Sequence, residues 1–68
     1  MTLLSVPDMN CGHCKASVTA ALTALDATAR IAVDLDKREV AVETAADPAA
    51  LIKSLKDIGF PAQVLSAD

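Results

Sequence analysis

The sequence predicts an α+β fold in which one four-stranded antiparallel sheet carries two helices on a single face. Three observations lead there. Apolar residues recur with the two-residue period of a strand in four short segments, and at steps of three and four in two longer ones. The six segments follow one another as β-α-β-β-α-β. At 68 residues the chain has room for one small domain, read here as spanning 1–68, with no repeat or low-complexity linker to divide it.

Thr2 to Val6 is short and β-prone, with Leu4 and Val6 on one face, and Pro7-Asp8 interrupts it as a turn does. After it, Val18, Ala21, Leu22 and Leu25 form the apolar stripe of a helix running from Cys14 to Leu25, with Lys15, Ser17, Thr19 and Thr23 between them. Ile31 and Val33 alternate with Arg30, Ala32 and Asp34, and Val40 and Val42 alternate with Glu39, Ala41 and Glu43. These are two half-buried strands joined by a hairpin over the polar link 34–38. Asp47 then precedes Pro48 as a helix cap followed by a first-turn proline, and Leu51, Ile52, Leu55 and Ile58 supply that helix's stripe. Gly59 ends it as a left-handed cap. Ala62 and Val64, alternating with Pro61 and Gln63, make a last short strand before a polar tail, Ser66-Ala67-Asp68. The element order is that of the ferredoxin-like split βαβ fold.

Composition narrows what such a domain does. Hydrophobic residues make up 53% of the chain, with Phe60 the single aromatic, so the core is aliphatic and disorder is excluded. A net charge of −3 without any run of Lys or Arg gives no footprint for nucleic acid. The longest apolar run is a few residues, far below the roughly 20 that span a bilayer, and the N-terminus lacks a basic segment followed by an apolar core and cleavage site. The expectation is a soluble, cytoplasmic chain with no membrane insertion. Cys11 and Cys14 are too close in sequence for a disulfide between them to staple the fold, so they are reactive or ligating.

Cys11-Gly12-His13-Cys14 falls between the first strand and the first helix, where unpaired backbone N–H groups and the positive end of the helix dipole stabilise sulfur anions. That activation serves a nucleophile and a metal ligand alike. Ligand count favours a particular metal class. A closed zinc site takes four protein ligands, whereas this chain offers two Cys and one His and would need water or a second molecule. Two thiolates are sufficient for a soft ion of low coordination, above all Cu(I), and leave a flank open to an incoming thiolate.

Met9-x-Cys11-x-x-Cys14 resembles the Met-x-Cys-x-x-Cys motif of heavy-metal-associated domains. The likeness extends to residues 4–9, similar to the strand leading into that family's metal loop, to residues 31–35, similar to its second strand, and to Gly59-Phe60-Pro61-Ala62, similar to its turn after the second helix. The resemblance implies Cys11 and Cys14 as ligands, Met9 as a core residue anchoring the loop, and Cu(I) as the ion. It further implies a small bacterial cytosolic copper chaperone, with a copper-transporting P-type ATPase as recipient; the open coordination of the two thiolates predicts a copper-bridged homodimer at high loading. Phe60 stands where bacterial chaperones of this family carry Tyr, and resembles instead the domains fused to the transporters. The start at Met1 favours a free carrier. His13, where many members have a small residue, is either a third ligand or a solvent-facing neighbour acting in partner exchange.

Two other readings have distinct chemistry. One is thiol–disulfide exchange, which an imidazole between two thiols encourages. The short chain and Met9-Asn10, where an aromatic usually precedes such a dithiol, oppose it, and the expected protein is not an enzyme. The other is Zn(II) or Hg(II) binding by a domain cut from a larger transporter.

Overall fold

In the computed structural model, which describes residues 1–67, the elements are β1 (Thr2–Ser5), α1 (Gly12–Leu25), β2 (Arg30–Asp34), β3 (Glu39–Glu43), α2 (Pro48–Asp57) and β4 (Gln63–Ala67). One sheet in the order β2-β3-β1-β4 has every neighbouring pair antiparallel. This is the expected ferredoxin-like fold. Leu4 and Val6 meet Val40 and Val42 of β3, Val18 and Leu22 of α1 and Leu51 and Leu55 of α2 in one fully buried cluster. The helices therefore share one face of the sheet.

Local chemistry explains most boundaries. Past the end of β1, Val6 adds one more ladder bond, donating its N–H to the Arg38 carbonyl at 2.8 Å, and Pro7 then has no N–H to continue. The β2–β3 hairpin is tightened by the Asp34 carboxylate, which accepts the Lys37 N–H at 3.1 Å. At the end of α2, Gly59 takes φ +88°. Its N–H reaches the Lys56 carbonyl at 3.0 Å, and the Phe60 N–H reaches that of Leu55 at 2.8 Å. This is the paired Schellman closure, and it folds Phe60 back against the core beside Leu55.

Four expectations need correction. Helix α1 begins at Gly12 rather than Cys14, because Cys11 itself takes the capping position. Leu25 and Ile58, assigned to buried stripes, are 40% and 43% exposed; Leu25 is the last residue of α1 and Ile58 the residue that caps α2, where periodicity continues beyond the core. Asp47 occupies the cap of α2 without a side-chain cap bond, so Pro48 and the Asp47 carbonyl, which accepts from Ala50 and Leu51, make that start. Strand β4 covers Gln63–Ala67 instead of 61–64, so Ser66 and Ala67 of the expected tail are strand residues; Asp68 lies outside the described residues. An edge strand is held by its ladder, here Thr2 with Ala67 and Leu3 with Ser66. A register shift between Leu3 and Leu4 leaves Leu65 as an extra residue on β4 and breaks the alternation that sequence periodicity depends on.

Candidate metal centre

The loop from β1 to α1 opens as a turn, with the Met9 N–H donating to the Val6 carbonyl at 3.0 Å. Met9 is fully buried in the core cluster, in the anchoring role expected of it, and cannot offer its sulfur at the surface. Asn10 and Cys11 return to the exterior. Cys11 is extended (φ −149°, ψ 166°), its carbonyl takes the first helical bond from the Lys15 N–H at 3.0 Å, and its Sγ accepts the Cys14 N–H at 3.4 Å. A sulfur thus fills the capping role usually held by a Ser or Asp oxygen.

Three residues on, Cys14 lies in the first turn of α1, half-buried against the core, with its sulfur 3.1 Å from that of Cys11. Both thiols are free, since the separation is well beyond the ~2.05 Å of a disulfide. The Cys11 thiol is held below its ordinary range, first by the hydrogen bond from the Cys14 side chain and then by the Cys14 backbone N–H; desolvation opposes them, and the His13 backbone N–H adds the least. Cys11 lies at a helix start, where the dipole acts in the same direction. On its other side Cys14 Sγ lies 3.9 Å from Asn10 Oδ1, a long contact that no spacing in the sequence signals.

His13 is exposed, and no group of three His, Cys, Asp or Glu converges among the described residues. The structure therefore brings together Cys11 and Cys14 and leaves His13 outside their cluster. Two sulfurs at an open surface can take a soft ion of low coordination and leave room for a third sulfur from another molecule. A second feature missed in the sequence is Arg38, whose Nη1 donates to the Pro7 carbonyl at 3.2 Å across 31 positions. A cleft of about 380 Å³, lined by Asp26, Thr28, Arg30, Glu43, Thr44 and Ala45, lies at the other end of the sheet from the thiols and takes no part in their chemistry.

Comparison with known proteins agrees with this geometry. The model of the heavy-metal-associated domain matches residues 3–61. A mercuric transport protein periplasmic component of Shigella flexneri is 34% identical over 64 residues, covering 90% of this chain and 70% of its own. Among solved structures, a gold binding protein superposes with a TM-score of 0.91 at 31% identity, covering 94% of this chain and 98% of that one. The copper chaperone Atx1 from Synechocystis PCC6803, in a trimeric form of a point mutant, superposes with a TM-score of 0.90 at 28% identity, covering 93% of this chain and all of that one. On the match of the family model over most of its length, the chain belongs to the heavy-metal-associated domain family.

Proposed function

We propose that this protein is a metal carrier, not an enzyme, that takes Cu(I) as cargo on Cys11 and Cys14 and hands it to a copper-transporting P-type ATPase or to another domain of the same fold. The observation that carries the reading is the pair of sulfurs 3.1 Å apart at an open surface, with no third ligand converging on them among the described residues. A two-coordinate ion seated between the thiolates requires the sulfurs, 3.1 Å apart in the metal-free pair, to move apart. Cys11 supplies that movement, being exposed, with its sulfur held by contacts to the Cys14 N–H and sulfur, whereas Cys14 is packed on the core. A recipient thiolate entering the open flank gives a three-sulfur intermediate; the bond to Cys11 breaks first, and a second recipient thiolate then displaces Cys14 and frees the ion from this chain. The same flank admits a second copy, giving a copper-bridged homodimer at high loading. No helix among the described residues is long and apolar enough to cross a membrane, and we place the carrier in the cytoplasm.

The test is titration of the reduced protein with Cu(I) against a strong chelator, repeated with Cys11→Ser, Cys14→Ser and the double variant. Stoichiometric retention lost in all three is expected; unchanged retention in the double variant overturns the proposal. Hg(II) is the second reading, favoured by the mercuric transport relative at 34% identity. Growth protection against copper or mercury in a host lacking its own carrier separates the two cargoes. Reduction of a disulfide substrate by the metal-free protein, with turnover, would instead establish an oxidoreductase.

A further inference from the structure

We infer that Arg38 is a positioning residue for the cysteine loop, clamping the orientation of the Pro7–Asp8 peptide from which the loop departs. The argument starts from the backbone. Arg38 is the only non-glycine among the described residues with positive φ, at +56°. A β-carbon is disfavoured there, and a hairpin would ordinarily place Gly or Asn at such a position. Arginine at this cost points to a compensating use of its side chain.

Arg38 makes two bonds on either side of Pro7, one through its backbone and one through its side chain. The Arg38 carbonyl accepts the Val6 N–H at 2.8 Å, the last ladder bond that the chain can make before proline. The guanidinium then reaches past it and donates to the Pro7 carbonyl at 3.2 Å. Val6-Pro7-Asp8-Met9 is closed by the bond from the Met9 N–H to the Val6 carbonyl, so Pro7 and Asp8 are the central residues of a four-residue turn. The peptide between them is the one that turns over when such a turn changes type, because the end-to-end bond survives the flip. The flipped type puts the third residue at positive φ, and Asp8 does not adopt it. By holding the carbonyl of that peptide, Arg38 selects one turn and with it the path of Asn10 and Cys11 beyond the buried Met9.

The inference rests on the carrier function proposed above for its purpose, but its test has an arm that does not. Arg38→Gly removes the guanidinium while relieving the positive-φ penalty, so the variant folds. Amide hydrogen exchange of the metal-free protein reads opening of the turn, rather than the flip itself, through the Met9 N–H that closes it, because a turn that loses the clamp on its central peptide opens more often. Losing one hydrogen bond at the turn should speed Met9 exchange about three- to tenfold in Arg38→Gly, with the core amides of Leu4 and Leu22 unchanged. Arg38→Lys, which keeps a donor, should recover most of the protection. Release of Cu(I) to a chelator should quicken in the same order, wild type slowest and Arg38→Gly fastest. Equal Met9 exchange in wild type and Arg38→Gly, absence of rescue by lysine, or acceleration spread evenly over the chain overturns the positioning role. Failure of the wild type to retain Cu(I) while the exchange pattern holds overturns the cargo and leaves the clamp standing.

Discussion

Cys14 contacts Cys11 twice, through its backbone N–H, 3.4 Å from the Cys11 sulfur, and through its own sulfur at 3.1 Å. The side-chain contact is the larger cause of the lowered Cys11 thiol, and the backbone bond the next. Cys14→Ala deletes the first and keeps the second. The expected result is a Cys11 thiol that deprotonates at higher pH than in the wild type. The pH dependence of alkylation of the metal-free protein, read at Cys11 by mass spectrometry, checks it; an unmoved profile would assign the effect to the helix start alone.

At the opposite end of the sheet, Asp26 accepts the hydroxyl and N–H of Thr28 at 2.7 and 3.0 Å and the hydroxyl of Thr44, eighteen positions away. These bonds lower its carboxyl pKa, the Thr44 hydroxyl first. A group whose folded pKa is depressed adds stability above its unfolded pKa and loses it as pH falls through the folded one. Thermal melts should therefore show the stability difference between the wild type and Asp26→Asn largest near neutrality and shrinking below the ordinary carboxyl range. A difference that grows toward acid pH would contradict the sign.

Met9 is fully buried, so Met9→Ala leaves a cavity and should cost about 2–5 kcal/mol in urea unfolding. Met9→Leu conserves volume and should cost less than about 1.5 kcal/mol. Because the thioether faces the core, Met9→Leu should retain Cu(I) as the wild type does. Marked loss of metal from a stably folded Met9→Leu would make the sulfur a ligand.

The two glycines should respond oppositely to alanine. Neither would crowd an added Cβ, but Gly59 holds φ +88° whereas Gly12, at the first position of α1, is not in the left-handed region. Gly59→Ala should destabilise by about 1 kcal/mol through backbone strain alone. Gly12→Ala should stabilise by about 0.4–1 kcal/mol by restricting the unfolded chain. Denaturant midpoints of the two variants measure both.

His13 is exposed and outside the sulfur pair. His13→Ala should change Cu(I) affinity by less than about threefold, well below the tenfold or more that follows loss of a group supporting the ion. A larger drop in a chelator competition would bring the imidazole to the metal.

Leu4, Val6, Val18, Leu22, Val40, Val42, Leu51 and Leu55 were legible as core because each stands on a stripe whose period is local to one element. The thiol pair was legible for the same reason: Cys11 and Cys14 are brought together by the geometry of a single helix start. Locality is also why the reading overran at Leu25 and Ile58, since periodicity identifies a face without showing where the core beneath it ends.

By itself, then, the sequence determined the order of the elements, the composition of the core and the two sulfurs, all consequences of side chains interacting within a few positions of one another. Tertiary structure decided what depends on distant residues meeting. Leu3 with Ser66 extends β4 into an apparent tail, Thr44 reaches Asp26, and Arg38 holds the Pro7 carbonyl across 31 positions. Such bonds join backbone and side-chain groups that every sequence possesses, and only the packing of helices on the sheet selects which of them come within reach.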